Sequence, residues 1–138
     1  MPVLSVPTLR RLGIVFLTLQ SAGGIGWWLL LWTHPPSRVA FRAPGTSDAA
    51  LFAFFVPDLI FYIGLGLGCA YGLARRAAWA WPLLCVHAGA AAYAALYTLT
   101  LPLFSHANVL GAILMAPSLF VPPYLAWRLR PHLEKEPD

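Results

Sequence analysis

Charge is scarce in this sequence. Only 10% of its 138 residues are Asp, Glu, Lys or Arg, while 59% are hydrophobic; an ordinary soluble domain carries about a quarter charged residues. A water-soluble fold of this length cannot hide that much apolar surface. Acids are scarcer still: there are five, and Asp58 alone lies inside a long apolar run. The two cysteines, Cys69 and Cys85, form no C-x-x-C pair, so paired-thiol redox chemistry has no support and both read as small packing residues. Also missing are a phosphate-binding glycine loop, a nucleophile elbow and a metalloprotease helix. Any chemistry must be acid–base chemistry with few players.

What the chain does have is four long apolar stretches and a mean hydropathy of +0.70. About 20 apolar residues at 1.5 Å each cross a bilayer core of about 30 Å. The spacing predicts an all-α, polytopic membrane protein: one domain, a bundle of four transmembrane helices over residues 12–32, 50–74, 77–101 and 107–127. An outer loop, 33–49, and a tail, 128–138, complete it. The stops are Arg10-Arg11, Arg75-Arg76, the "LPLFSH" turn and the polar residues from Arg128 onward. The first apolar run continues through "GWWLLLW", well past the roughly 7 to 15 residues of a secretory signal core, which favours an uncleaved helix.

Arg10, Arg11, Arg75, Arg76, Arg128, Arg130 and Lys135 fall on one side of this topology, and Arg38 and Arg42 on the other. Positive flanks stay cytoplasmic, so both termini are expected inside, in a bacterial inner membrane or an endomembrane. Trp27, Trp28 and Trp32 would lie toward the outer boundary, and Trp79, Trp81 and Trp127 toward the inner one. The net charge of +4 then reports topology and membrane lipids as partners, with no indication of nucleic acid.

Within the helices, Gly64, Gly68 and Gly72 form one stripe on which another helix, or a second copy of the chain, can approach closely. Ser47 or Thr46 can cap the second helix, with Asp48 in its first turn. Pro57, Pro117 and the pair Pro122-Pro123 each remove a backbone donor, so kinks are expected. Asp58 follows Pro57 directly. An acid at the bilayer centre costs about 2.5–3.5 kcal/mol, so an inward-facing one is a functional-site candidate. A boundary role is the alternative, with Pro57 opening a helix and Asp58 in its first turn. Donors at comparable depth are Tyr62, Tyr93, Tyr97 and Gln20, with His87 deeper. His87 is alone at its depth, so bis-histidine haem ligation has no partner; His34 and His106 in outer loops are a weak metal pair, and no cofactor or metal is expected.

The stretch "FFVPDLIFYIGLGLGCAYGL", then "WAWP", "VHAGAAAYAALY" and "MAPSLFVPPYLAWRL" resemble the last three helices of the EXPERA superfamily, the emopamil-binding sterol isomerases and sigma-2 receptor relatives. The resemblance covers about residues 50–130. Its most specific piece is A-P-x-L-x-x-P at Ala116–Pro122; Asp58 falls where sigma-2-like members carry a glutamate followed by two apolar residues and an aromatic, and His87 resembles the family's histidine. In the first helix the chain departs, reading "GIGWWLLLW" with no acid. The resemblance implies a four-helix bundle whose cavity opens toward lipid, where acids meet a cationic or carbocation-like centre.

These residues lead to an expectation of a hydrophobic small molecule, lipid-, sterol- or isoprenoid-like and cationic in one version, held among helices two, three and four. Asp58 would orient its polar end; Tyr62, Tyr93, Tyr97, His87 and Gln20 would supply donors, Trp28 cation–π support, and Pro117 with Pro57 would open the cavity. An enzymatic version passes a proton between Asp58, His87 and an alkene, as a double-bond isomerase would. The alternatives are a proton-coupled transporter built as a homodimer on Gly64, Gly68 and Gly72, and a non-catalytic assembly subunit.

Overall fold

The first apolar run starts earlier than its hydropathy predicts because its polar flank caps it. Ser5 stands at the N-cap and its hydroxyl accepts from the Thr8 amide at 3.4 Å. Pro7 falls in the opening turn, where a missing N–H costs little. The helix spans Val6–Thr33 and takes Arg10 and Arg11 into itself. The computed structural model of the chain describes residues 5–105 and 109–133; the expectations placed on His106, on Lys135 and on a helix start at Ala107 lie outside the described residues.

Pro35 and Pro36 end the first span, since neither can continue the hydrogen-bond ladder. A 3-10 turn, Pro35–Ala40, follows, and Gly45, at φ +77°, lets the chain turn back. Two arginines of this loop share one acid: Arg38 Nη1 donates to Asp48 at 3.0 Å and Arg42 Nη1 at 2.7 Å. Arg38 Nε also donates to the Leu31 carbonyl at 2.7 Å. The loop is thereby tied to the end of the first span and the start of the second. The expected cap is not made: Ser47 holds the N-cap position without a side-chain hydrogen bond, and the Thr46 hydroxyl donates to Ala43 instead.

The second span, Asp48–Arg75, is long enough to cross a membrane but changes its winding on the way. An α-helical start, Asp48–Phe52, gives way to a turn at 53–54, then to Phe55–Pro57. Next comes a π-helix, Asp58–Gly64, and a regular α-helix, Leu65–Arg75. Pro57 has no N–H to offer the Ala53 carbonyl, which accounts for the break before it. The wide π turn is visible where the Leu65 N–H reaches back five residues to Ile60. Two carbonyls of this turn are taken up from outside: Ser21 Oγ donates to Ile63 at 3.2 Å, and His87 Nδ1 lies 3.1 Å from the Phe61 oxygen. Arg76 closes the span in the left-handed region, φ 57°, its N–H on the carbonyls of Gly72 and Leu73.

The third span is Ala80–Ser105, and the segment "LPLFS" expected to turn is helical through Pro102. The fourth, Val109–Leu133, continues through Pro117, Pro122 and Pro123 and carries Arg128 and Arg130 inside it. Among the described residues there is no strand; the chain is an all-α bundle with four helices long and apolar enough to span a membrane.

Leu9, Leu17, Leu73, Leu84, Leu125 and Leu129 bring all four spans into one buried cluster at the arginine-rich end. In a bilayer such a core is held by close packing, because lipid tails are as apolar as leucine. Glycine makes the approach close. A Cβ at Gly72 would meet Ala80 and Trp79 at 2.8 Å, and one at Gly68 would meet Leu83 at 3.0 Å. Gly68 and Gly72 thus pack against the start of the third span and the residue before it in the same chain; Gly64 faces the Leu59 carbonyl of its own π turn at 3.0 Å.

The other end is built differently. Its cluster is Trp28, Leu31, Phe41, Leu51 and Ile63, from the first two spans and the loop alone. Spans three and four pack along each other, and span one packs on Leu65–Arg75, while spans one and four meet much less. Two helix pairs thus converge at the arginine-rich end and separate at the loop end. Trp28 is a core residue here, 4% exposed, rather than a boundary tryptophan.

Candidate functional site

The separation of the two pairs leaves a cavity of about 710 Å³, reached from every span and from the loop. It falls within the roughly 300–1,000 Å³ of small-molecule sites. Its wall is mainly apolar. Trp27 and Phe16 come from span one, Phe54 from span two, Tyr97 from span three and Leu114 from span four. Phe41, Arg42 and Thr46 of the loop lie at its outer end.

Asp58 stands in this wall, half-buried, at the first residue of the π-helix. Asp58 lies ten residues into the span that starts at Asp48, and three residues after helix resumes at Phe55 beyond the turn at 53–54. The Trp28 indole Nε1 approaches its carboxyl without completing a hydrogen bond. Trp28, rather than Tyr93 or Tyr97, is thus the donor turned toward the acid.

A second polar group sits deeper. The Tyr62 phenol, one turn beyond Asp58, lies 2.8 Å from Ser118 Oγ of the fourth span and donates to Met115 Sδ at 3.1 Å. With that proton committed to sulfur, the Ser118 hydroxyl donates to the phenol oxygen. Gln20 of the first span lies beside Tyr62, yet both its amide atoms are buried with no partner, as is Trp28 Nε1. Buried polar atoms are rarely left so, because each forfeits its hydrogen bonds to water. Here all three belong to residues of the cavity wall.

Of the residues singled out in the sequence, Asp58, Tyr62, Gln20, Trp28, Tyr93, Tyr97 and Pro117 line this one cavity. Tyr93 and Tyr97 also face outward, 72% and 43% exposed, and Phe54 packs on Tyr97 with ring centroids 5.1 Å apart, spanning the gap between spans two and three. His87 does not line it. It is fully buried behind Tyr62, ring centroids 6.2 Å apart. Since a carbonyl only accepts, the proton sits on Nδ1 toward Phe61, and Nε2 is a bare acceptor with no partner. The structure gives His87 a role in holding the π turn, and it does not bring Asp58 and His87 into one chamber.

Ser118 and Met115 were not identified from the sequence, although Ser118 is the variable position of the A-P-x-L motif; Ser21 was missed as well. Among the described residues no group of three or more His, Cys, Asp and Glu side chains comes together.

Fold and site together define a class: a four-helix protein of membrane-spanning dimensions with a partly open, mainly apolar cavity between its helices and a few convergent polar groups. No protein-family model, curated protein or solved structure matches the chain.

Proposed function

We propose that this chain is an integral membrane protein that binds a hydrophobic small molecule in the cavity, with the polar end of the ligand at Asp58. The carrying observation is the coincidence in one apolar wall of an acid and the unpartnered atoms of Trp28 and Gln20. An acid inside a membrane helix is costly and calls for a compensating group. A ligand amine, or another donor with apolar bulk, meets both the acid and the aromatic wall. The resemblance of residues 50–130 to the EXPERA superfamily supports a lipid-facing cavity of this kind. Because His87 stands outside the wall, binding is the reading favoured over Asp58–His87 proton transfer.

In this reading both termini are cytoplasmic. Arg10, Arg11, Arg75 and Arg76 share one end of the bundle, whereas Arg38 and Arg42 at the other are both paired with Asp48. The test is photoaffinity labelling in lipid nanodiscs with a diazirine-bearing dodecylamine. Labelled peptides should map to the cavity wall, and Asp58→Asn should lower labelling about tenfold. Equal labelling of the two proteins would remove Asp58 from the site.

A further inference from the structure

Asp58 and Trp28 account for one polar group of a ligand and leave Gln20 unexplained. Gln20 precedes Trp28 by about two turns, roughly 12 Å along the first span. It belongs to the deep end of the cavity, beside the Tyr62–Ser118 pair. That pair is complete within the protein, phenol to Met115 and serine to phenol. The amide is not: it approaches the Tyr62 phenol without completing a hydrogen bond, and its carbonyl oxygen and NH₂ are both buried and unsatisfied. Either orientation of the amide presents the same two faces, one accepting and one donating.

A group that satisfies both must itself donate and accept. An ammonium can only donate, and an alkyl end can do neither. A carboxylate can only accept, and it would bring a second negative charge near Asp58 with no cation beside it, because Arg42, the arginine of the wall, is engaged with Asp48 at the loop end. A neutral hydroxyl fits, because one O–H both gives and takes a hydrogen bond. The wall around both polar positions is mainly apolar, which suits a hydrocarbon carrying the two polar groups.

Resting on the reading of Asp58 above, we infer that Gln20 forms a second polar subsite at the deep end of the cavity, and that the ligand class is a two-headed amphiphile. Its first polar group meets Asp58; its second, a neutral hydroxyl, sits on the Gln20 amide at the depth of Tyr62, about one helical turn deeper.

Two photoprobes of matched length separate this from the simpler reading: diazirine-bearing dodecylamine and its counterpart hydroxylated at the fifth carbon, which spaces the two polar groups by about one helical turn, compared in nanodiscs on native protein, Gln20→Leu, Gln20→Met and Asp58→Asn. The native protein should be labelled about tenfold more efficiently by the hydroxylated probe, the scale of one or two net hydrogen bonds. Gln20→Leu and Gln20→Met should abolish that preference, and adding Asp58→Asn to either should still lower labelling by plain dodecylamine, which reports an intact cavity. Equal labelling of native protein by the two probes, or a preference that survives both Gln20 variants, overturns the subsite and leaves the Asp58 reading standing. Absence of labelling in the cavity wall by either probe overturns both.

Discussion

The Tyr62 phenol and the Ser118 hydroxyl lie 2.8 Å apart, joining the second span to the fourth across the deep end of the cavity. They link the two helix pairs at the depth where the pairs begin to separate. Tyr62→Phe and Ser118→Ala should each destabilise the protein by about 0.5–1.5 kcal/mol, the range of hydrogen bonds between membrane helices. The double variant should cost less than the sum, since one bond is removed only once. Thermal unfolding in detergent measures all three.

His87 should behave as a fastening for the π turn rather than a ligand group. His87→Leu deprives the Phe61 carbonyl of its donor and should cost about 1–3 kcal/mol of stability, the penalty of a buried polar group left unpaired. Labelling per folded molecule by dodecylamine should stay within about twofold of native, because His87 is absent from the cavity wall. Unfolding curves and labelling of the same preparation check the two halves separately.

The glycines divide into two classes that a single substitution can distinguish. Gly72→Ala places a methyl 2.8 Å from Ala80 and from the Trp79 ring and should cost about 1–3 kcal/mol through overpacking. Gly26→Ala and Gly89→Ala meet nothing within 4 Å and should be neutral or slightly stabilising, since alanine is the better helix former.

The four spans were legible because apolar length alone predicts them. Their ends were not, for reasons visible at particular residues. The Ser5–Thr8 cap extends the first helix toward the N-terminus, and arginines placed at the stops lie inside helices instead. Arg130, for example, stacks its guanidinium 5.4 Å over the Trp81 ring. Asp58, Gln20 and Tyr62 stood out as polar residues in apolar runs, so most of the cavity's polar wall could be read. The π-helix could not: Pro57 announces a break, but the wide turn also engages Ser21 and His87, which come from other spans. The inner packing of Gly68 and Gly72 was hidden likewise, since a small-residue stripe does not say which helix will cover it.

The loop at the cavity's outer end hangs on Asp48. Asp48→Ala releases Arg38 and Arg42 together, and because these ion pairs are partly exposed the loss of global stability should be at most about 1 kcal/mol. The local effect should be larger. Limited proteolysis between residues 34 and 47 should be several-fold faster in the variant, whereas the helices stay resistant.

The central claim is that the cavity is occupied by a small molecule in the membrane. It is tested most directly by native mass spectrometry of protein released from nanodiscs, comparing the native chain with Gly23→Phe. Gly23 lines the cavity and a Cβ there meets nothing within 4 Å, so a phenyl ring fills the space without a clash at its root. The account predicts a discrete bound mass on the native protein that is lost from a folded Gly23→Phe variant. The same bound species on both, or none on either, would contradict it.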